Sequence, residues 1–506
     1  MNIANFIFDK NKENMNKRAL LYVDRQGREE SWSYSDLHVM SSKAVNLLLS
    51  LGIKKGDRVF IYLDRSPETY FFVLGILKLG AVYCPLFPSF GSDAVRERFV
   101  DCQGSLIIAE SRLEENLDGL PCLLVDREGD FNFRQRLLSM SPDFDAAEVS
   151  DKDIAIIHYT SGTTGRPKGA VHCHGAIVSH WQTSKDILGL GPGLKYWCTA
   201  DPAWVTGTTY GILGPLSAGA DILVSEPSYR LNQVLGVLER YKVEIWYTAP
   251  TLLRMLMRED LAKAKGYNLT GLKKIFSVGE ALNPEVCRWT EENLGLTVYD
   301  TWFQTETGAI MIGYDGSFSK REGSMGKAIY HVKAEILNES YEPAPTGKKG
   351  HLALLPAWPS MFLGYWNNED IYQSKFKNGW YITGDLASKD EEGYFYYLSR
   401  EDDVINTAGH LVSPFEVESV LMAHPSVAET AVIGMPDKLM GETVKAFVVL
   451  KEDYVPSPQL QIEYRTLVRN KVSAYASPQA VEFIDELPKT ESGKIIRRML
   501  GTGNTD

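Results

Sequence analysis

Residues 159–169 are the stretch that most limits how this chain can fold. They read Tyr-Thr-Ser-Gly-Thr-Thr-Gly-Arg-Pro-Lys-Gly. The apolar run before them, residues 154–157, predicts a buried strand, and the spacing of Ile177, Trp181 and Leu188 after them predicts a helix face. Glycines let successive backbone N–H groups point at an anion, while hydroxyls and Lys168 add further donors. The stretch therefore predicts a flexible phosphate-binding loop between two ordered segments.

This loop differs from the usual P-loop. In a P-loop the lysine follows a glycine and precedes Ser or Thr at a helix start, whereas Lys168 here precedes Gly169. Residues 171–174 also intervene before the predicted helix, so the loop's own amides would hold the phosphate. A Gly/Ser/Thr-rich surface loop without a ligand is the alternative for such a composition.

Patterns elsewhere predict an α/β protein. A chain of 506 residues is too long for one core and indicates two to four lobes. Within residues 1–150 we predict a helix over 34–51, a strand over 58–63, a helix over 67–79 and a strand over 81–85. This alternation indicates parallel sheets joined by crossover helices.

The composition argues against several classes of protein. The net charge of −12, without a Lys/Arg-rich run, argues against a nucleic-acid or membrane-surface partner. The six cysteines are irregularly spaced and predict reduced, mostly buried thiols. The N-terminus has no signal-peptide pattern, and the apolar run 71–87 is interrupted by charged, Gly and Pro residues, so it predicts a buried helix leading into a strand. We expect a cytoplasmic protein.

Three further segments carry residues suited to nucleotide chemistry. Residues 300–308, Asp-Thr-Trp-Phe-Gln-Thr-Glu-Thr-Gly, place the Glu306 carboxylate between threonines, which suits Mg²⁺ beside phosphate; a plain surface carboxylate is the alternative. Asp385, predicted at a turn after an apolar strand, could accept both ribose hydroxyls or merely close the turn. Residues 488–498, Pro-Lys-Thr-Glu-Ser-Gly-Lys-Ile-Ile-Arg-Arg, would by default be a solvated basic segment.

Together these motifs resemble the adenylate-forming superfamily of acyl-CoA synthetases, peptide-synthetase adenylation domains and luciferases. The resemblance runs from about residue 30 to 500 and is strongest to acetyl-CoA and other short-chain acyl-CoA synthetases. It implies a large N-terminal AMP-binding domain, residues 1–401, with parallel-rich sheets and crossover helices. A small mobile α+β C-terminal domain, residues 402–506, would follow, with its hinge at Asp402, where an aromatic strand pattern gives way to a charged cluster.

The same resemblance implies the roles of individual residues. Lys494 would stabilise the charge that develops between the carboxylate and the α-phosphate, with Glu306 and Lys168 as further catalytic residues and Glu306 as the Mg²⁺ ligand. The implied ATP-binding residues are Thr160, Ser161, Gly162, Thr163, Thr164, Gly165, Gly279, Glu280, Ala281, Asp300, Thr301, Trp302, Phe303, Gln304, Thr305, Asp385 and Arg400. The implied acyl pocket comprises Trp204, Val205, Thr206, Val278 and Phe303. The implied coenzyme A contacts are Thr206, Ala408, Gly409, His410 and Arg469. Some relatives hold a cation at a turn matching Met422, His424 and Val427.

Phe303 departs from the pattern of the relatives it resembles most. Acetyl- and propionyl-CoA synthetases carry Trp at this position, and medium-chain relatives carry Gly. Each methylene in an apolar pocket is worth roughly 1–3 kcal/mol of discrimination, so an intermediate side chain retunes chain length. We expect acetate, propionate or butyrate as the substrate.

The activity implied is a two-step acid–thiol ligation. ATP and a carboxylate would give acyl-AMP and pyrophosphate, and the thiol of coenzyme A would then attack the acyl group after the small domain rotates. The alternative acceptor is a separate carrier protein, because the chain ends twelve residues after Lys494 without a carrier domain. Relatives are acetylated at the lysine matching Lys494, which implies the same control here.

Overall fold

The computed structural model describes residues 1–126, 133–161, 167–225, 230–259, 266–408, 410–489 and 495–501, with only the backbone at residues 161 and 498. It is a mixed α/β protein, as predicted. Its helices are α1 Ile3–Lys10, α2 Tyr34–Ser50, α3 Pro67–Leu79, α4 Ser92–Asp101, α5 Phe133–Ser139, α6 Ile177–Asp186, α7 Gly214–Ala218, α8 Leu231–Arg240, α9 Pro250–Met257, α10 Pro284–Leu294, α11 Glu369–Ser374, α12 Pro414–Met422, α13 Pro458–Lys471 and α14 Arg497–Leu500.

The first of two seven-stranded sheets carries the predicted phosphate loop. Its spatial order is β18, β8, β7, β4, β3, β5, β6. These strands are β3 Arg58–Tyr62, β4 Val82–Pro85, β5 Leu106–Ala109, β6 Cys122–Leu124, β7 Ile154–Ser161, β8 Pro167–Cys173 and β18 Gly364–Tyr365. The four elements predicted between residues 34 and 85 are confirmed as α2, β3, α3 and β4, and β3 pairs in parallel with β4.

Local sequence explains the ends of these helices. Ser33 and Asp36 form a capping box at the start of α2, which stabilises a helix by about 1 kcal/mol. α3 begins with the Ser66 side chain as its cap and Pro67 in its first turn, and it ends at Gly80, whose φ of 74° is left-handed.

The second seven-stranded sheet has the order β13, β12, β11, β9, β10, β1, β2 and is parallel except for the β1–β2 pair. Its strands are β1 Arg18–Val23, β2 Glu29–Ser33, β9 Lys195–Cys198, β10 Asp221–Ser225, β11 Ile245–Thr248, β12 Lys274–Ser277 and β13 Val298–Asp300. The largest cluster of buried side chains joins the two sheets through α2 and α3, with Leu47, Phe72 and Tyr196 among its members.

An antiparallel sheet follows, in the order β16, β17, β20, β19 with β21 beside β20. Its strands, together with the small β14–β15 pair, are β14 Ile312–Gly313, β15 Lys327–Ala328, β16 Ala334–Leu337, β17 Lys349–Leu354, β19 Phe376–Lys377, β20 Trp380–Lys389 and β21 Phe395–Arg400.

The last sheet is built from residues beyond 404 and has a core of its own. Its strands are β22 Ile405–Thr407, β23 His410–Val412, β24 Val427–Asp437, β25 Gly441–Leu450 and β26 Ala480–Phe483. Val417 of α12 and Tyr464 and Val468 of α13 pack into that core. Asp402 lies in a short 3₁₀ turn, Glu401–Asp403, between β21 and β22. The boundary between residues 401 and 402 and the hinge role of Asp402 stay predictions.

The helix predicted after the phosphate loop is confirmed as α6, but both ends of the predicted loop, 159–169, belong to strands. β7 is followed by β8, which pairs with it antiparallel, so the loop joins two strands of a hairpin, and α6 begins only after β8. Residues 170–173 form too short an apolar segment to reveal a strand by periodicity. The loop residues Gly162, Thr163, Thr164 and Gly165 lie outside the described residues, as do Gly409 and Lys494.

Other expectations can be compared directly with the structure. The six cysteines are free thiols, and five of them are buried. The apolar run 71–87 is a buried helix leading into β4, as predicted. Within the part of the chain that the structure describes, no helix is long and apolar enough to cross a bilayer.

Candidate active site

A cavity collects most of the residues predicted to bind ATP. β12 and β13 run parallel with Ser277 beside Asp300, so the segments that follow their carboxyl ends meet at one edge of the sheet. Residues of β20 and β21 line the same cavity, and residues of the C-terminal sheet and its helices cover it. The predicted ATP residues among the lining are Gly279, Glu280, Ala281, Asp300, Thr301, Trp302, Phe303, Gln304, Asp385 and Arg400.

The Asp385 carboxylate lines this cavity and accepts hydrogen bonds from several side chains. One of its oxygens accepts hydrogen bonds from Trp302 Nε1 at 3.0 Å and Gln304 Nε2 at 2.9 Å. The other accepts from Arg400 at 3.2 Å. The side chain is 5% exposed, so these donors hold a buried charge at a defined orientation.

The predicted setting of Asp385, a turn after a strand, was wrong. Asp385 lies inside β20, where Ile382 pairs with Ala353 but Leu386 pairs with His351, so Thr383, Gly384 and Asp385 form a bulge. Gly384 has a φ of 75°, and the Thr383 hydroxyl donates to Leu352 O at 2.7 Å. A bulge redirects a side chain within a continuing strand, which is how this carboxylate reaches the cavity.

Arg400 links this carboxylate to the predicted hinge. It lies opposite Asp385 on β21, and its Nε is 3.7 Å from the Asp402 carboxylate. Burial lowers the pKa of Arg400, but the carboxylates of Asp385 and Asp402 outweigh this and raise it. The guanidinium is therefore a permanent cation at the edge of the cavity.

Glu306 and Lys168 come from distant parts of the chain and meet beside Tyr365. The Tyr365 hydroxyl donates to Glu306 at 2.7 Å, and Lys168 Nζ lies 6.0 Å from the Tyr365 ring centre. Burial and the charge of Lys375 lower the pKa of Lys168, while Glu306 opposes this. Tyr365 was missed from the sequence because only the pairing of β18 with β8 brings it here.

The oxygen ligands at this place fit Mg²⁺ bound with a nucleotide. Among the described residues no group of three or more His, Cys, Asp or Glu side chains could form a complete metal site. Mg²⁺ beside phosphate usually keeps several waters and takes only one or two carboxylates from the protein. Glu306 satisfies that requirement, and its role as ligand stays a prediction.

Glu280 is fixed by residues that the sequence did not reveal. Thr251 donates to its carboxylate at 2.6 Å, and Arg254, also on α9, forms an ion pair with it. Arg254 further donates to Asn283 at 3.3 Å. Gly279 beside it has a φ of 89°, a conformation that favours glycine.

Asp300 is buried at the end of β13. The Thr301 N–H donates to it at 3.0 Å. Burial raises the pKa of Asp300 to about 8. Burial therefore favours the neutral form of this carboxyl near neutral pH, beside the predicted ATP-binding residues that follow it.

The predicted acyl-pocket residues lie on two segments. Trp204 packs against Phe87 with ring centres 4.7 Å apart, and Val205 and Thr206 are buried just before the π-helical segment Gly207–Leu213. A Cβ at Gly207 would lie 1.9 Å from Asp201 O, so this close approach requires glycine. Val278 and Phe303 join the largest core cluster.

Tyr210 on the π-helical segment was missed by sequence reasoning. Its ring meets Phe303 edge-on, with centres 5.4 Å apart. Short π-helical segments are frequent at functional sites, but the sequence carries no periodicity that identifies one.

Among the coenzyme A and cation candidates that the structure describes, Met422 lines the cavity and the others do not. Ala408 and His410 lie on the β22–β23 hairpin, where the His410 ring stacks on Tyr475 at 3.6 Å, and Arg469 is exposed on α13. Within the described ranges, no hydrogen bond joins Thr206 to Ala408, His410 or Arg469. Met422 lines the cavity, whereas the ring of His424 is bonded to Ser426 at 2.8 Å and paired with Glu463 at 3.3 Å. Their roles stay predictions.

Comparison with known proteins identifies the family and supports the fold. The family model for the AMP-binding enzyme matches residues 7–366, and that for the AMP-binding enzyme C-terminal domain matches residues 416–494. Acetyl-coenzyme A synthetase of Bacillus subtilis (strain 168) is 42% identical over 515 residues, which span 99% of this chain and 90% of that protein. The acetyl-coenzyme A synthetase of Rubrobacter xylanophilus is 36% identical, spanning 96% and 81%.

Solved structures with the same fold include two ligases. The anthranilate CoA ligase AuaEII, in complex with anthranoyl-AMP, superposes with a TM-score of 0.91 at 27% identity, covering 99% of this chain and 96% of that one. The acyl-CoA synthetase of Brucella canis gives a TM-score of 0.77 at 31% identity, covering 99% and 93%. The predicted resemblance to the adenylate-forming superfamily is confirmed.

Proposed function

The chain belongs to the family of AMP-binding enzymes, and on that premise we propose that it is an acyl-CoA synthetase for short-chain carboxylates. It converts acetate, propionate or butyrate to acyl-CoA through an acyl-AMP, releasing AMP and pyrophosphate. The observation that carries this proposal is that one cavity is lined by Gly279–Ala281, Asp300–Gln304, Asp385 and Arg400 together. The identity to two acetyl-coenzyme A synthetases, 42% and 36%, supports it.

In the first step the cavity orients ATP for attack by the carboxylate. Asp385, held by Trp302, Gln304 and Arg400, accepts the ribose hydroxyls. A carboxylate oxygen attacks the α-phosphorus, and the bond to pyrophosphate breaks. Fixing both reactants in one orientation removes most of the entropic barrier of this bimolecular step.

Cations are assigned to neutralise the negative charge of the reacting phosphates. Lys168 and Lys494 are the protein cations assigned to them, and Glu306 would hold Mg²⁺, which supplies further neutralisation of the phosphate oxygens when bound. Donors and cations placed where charge develops stabilise a transition state more than the ground state. The hydrogen bond from the Tyr365 hydroxyl keeps the Glu306 carboxylate oriented.

In the second step the coenzyme A thiol attacks the acyl carbon and AMP leaves. The mixed anhydride has a far better leaving group than the free carboxylate, which is why the first step is needed. Ala408, Gly409, His410 and Arg469 are assigned to coenzyme A together with Thr206. In this assignment the small domain turns about Asp402 between the steps, so that one acyl site serves both reactions.

Phe303 is the residue that we assign to chain length. It lines the nucleotide cavity, and its ring is supported by Tyr210. Phe303→Trp should favour acetate, and Phe303→Gly should favour acids longer than butyrate. Each methylene by which the preferred acid lengthens or shortens should correspond to a change in kcat/KM of roughly 10- to 200-fold. If both variants and the wild type prefer acids of the same chain length, this assignment is contradicted.

The deciding experiment is ATP–pyrophosphate exchange with acetate, propionate, butyrate and octanoate, followed by thioester formation with coenzyme A alone. We expect exchange with the three short acids and acyl-CoA without any added protein. Octanoate as the best substrate would refute short-chain specificity, and exchange without thioester formation would point to a carrier protein. The relatives are named for coenzyme A, so the carrier alternative is not favoured. Cytoplasmic location and acetylation of Lys494 stay predictions.

A further inference from the structure

Tyr210 is fully buried and packs against the ring of Phe303. The two rings meet edge to face, with centres 5.4 Å apart and planes at 80°. Tyr210 also meets Tyr247 edge-on at 5.6 Å. Edge-to-face packing fixes the orientation of both rings, so the direction of Phe303 depends on where Tyr210 stands.

A chain of hydrogen bonds fixes the Tyr210 ring. The Ile310 N–H donates to its hydroxyl oxygen at 2.7 Å. The hydroxyls of Tyr210 and Thr183 are 2.8 Å apart, and the Thr183 hydroxyl donates to Ser179 O at 2.7 Å. Because the Thr183 proton is directed to Ser179, the Tyr210 hydroxyl donates to Thr183, and every polar atom of this buried chain is satisfied.

The backbone around Tyr210 is equally constrained. Tyr210 lies in the π-helical segment Gly207–Leu213, which directly follows the acyl-pocket candidates Val205 and Thr206. Gly207 cannot accept a Cβ without meeting Asp201 O, and Gly214 cannot without meeting the Ser184 hydroxyl. The segment therefore has little freedom to move Tyr210 aside, and packed interiors resist such shifts.

We propose that Tyr210 is a positioning residue that sets acyl chain length by holding the Phe303 ring against the pocket. This inference rests on the short-chain function proposed above. Without the Tyr210 ring, Phe303 can tilt into the vacated volume, and the pocket deepens towards it. The ring itself limits the length of the acid, and its packing on Tyr247 and Phe303 remains when only the hydroxyl is removed.

The test compares three variants in competition between acetate and butyrate. Tyr210→Leu removes the ring, and Tyr210→Phe removes only the hydroxyl. Phe276→Leu removes a buried ring that packs on Tyr247 and Tyr299 and is joined to Tyr210 only through Tyr247. The ratio of butyryl-CoA to acetyl-CoA from an equimolar mixture is measured by mass spectrometry. This ratio does not depend on the fraction of folded enzyme.

We expect Tyr210→Leu to raise the butyrate-to-acetate ratio at least about 10-fold, because one or two methylenes gain space. Tyr210→Phe and Phe276→Leu should stay within about 3-fold of the wild type. If a variant forms too little acyl-CoA to measure, its preference is obtained instead from binding. The two ligands are acetyl- and butyryl-sulfamoyladenosine, which mimic the acyl-AMPs, and the ratio of their dissociation constants reports the preference. An unchanged ratio in Tyr210→Leu, or an equal rise in Phe276→Leu, overturns the inference. A wild type that converts no acid refutes the proposed function instead.

Discussion

The replacement of Asp385 by Asn tests the nucleotide site most directly. In the wild type one Asp385 oxygen accepts from Trp302 and Gln304, and the other faces Arg400. The Asn amide must keep its oxygen towards Trp302 and Gln304, since its NH₂ group cannot accept from them. The NH₂ group then faces Arg400, and both the ion pair and the negative charge offered to the ribose are lost.

The size of the effect follows from the bonds involved. A hydrogen bond to a charged group contributes about 1.5–3 kcal/mol. Two ribose hydroxyls bonded to the carboxylate therefore correspond to about 3–6 kcal/mol, a loss of about 10²- to 10⁴-fold in kcat/KM for ATP. Arg400 remains 37% exposed and can be hydrated, so we expect a loss of only about 1–2 kcal/mol in the free energy of unfolding.

The assay is ATP–pyrophosphate exchange with ATP, 2′-deoxyATP and 3′-deoxyATP. For the wild type, kcat/KM should be about tenfold or more lower for each deoxynucleotide than for ATP. For Asp385→Asn the difference in kcat/KM should be less than about threefold. Asp390→Asn is the matched control, because Asp390 also accepts from an arginine, Arg321 at 2.7 Å, just after the same strand. It should retain full discrimination. If Asp385→Asn discriminates as the wild type does, Asp385 does not bind the ribose.

Three further predictions concern other residues. Lys494→Ala should abolish adenylation while thioester formation from supplied acyl-AMP is largely kept; equal loss of both steps would contradict the role given to this lysine. Glu306→Gln should lower kcat for adenylation by about 10²-fold and raise the Mg²⁺ requirement, whereas stability should be kept because the amide still accepts from Tyr365; an unchanged kcat at saturating Mg²⁺ would refute it. In the folded protein burial raises the pKa of Asp300 from its ordinary value of 3.8 to about 8. Between pH 3.8 and 8 the folded state therefore binds more protons than the unfolded state, and this group lowers the free energy of unfolding as the pH rises through that range. Asp300→Asn should therefore gain stability relative to the wild type from pH 5 to 8, by at most about 1.4 kcal/mol per pH unit in urea unfolding; a difference independent of pH would refute this.

Several parts of the fold and the site could be predicted from the chain alone. Hydrophobic periodicity is a local property, so α2, α3 and the strands beside them were predicted almost to the residue. The motifs at 278–281 and 300–304 follow neighbouring parallel strands, which ensures that they meet at one sheet edge. Family resemblance came from the same short segments, and the comparisons confirm it.

The predictions failed where the outcome depended on strand partners. β8 is recognisable only through its pairing with β7, and the bulge in β20 only through its register against β17. The bulge brings the Asp385 carboxylate to Trp302 and Gln304, which are 83 and 81 residues away in the chain.

Sequence by itself determined which chemical groups this protein has and which local elements carry them. Only the tertiary structure decided which groups touch: Tyr365 with Glu306, Arg254 with Glu280, and Tyr210 with Phe303. The physical reason is that caps and periodicity act within a few residues, whereas sheet register and ring packing join segments far apart in the chain, and no local pattern encodes them.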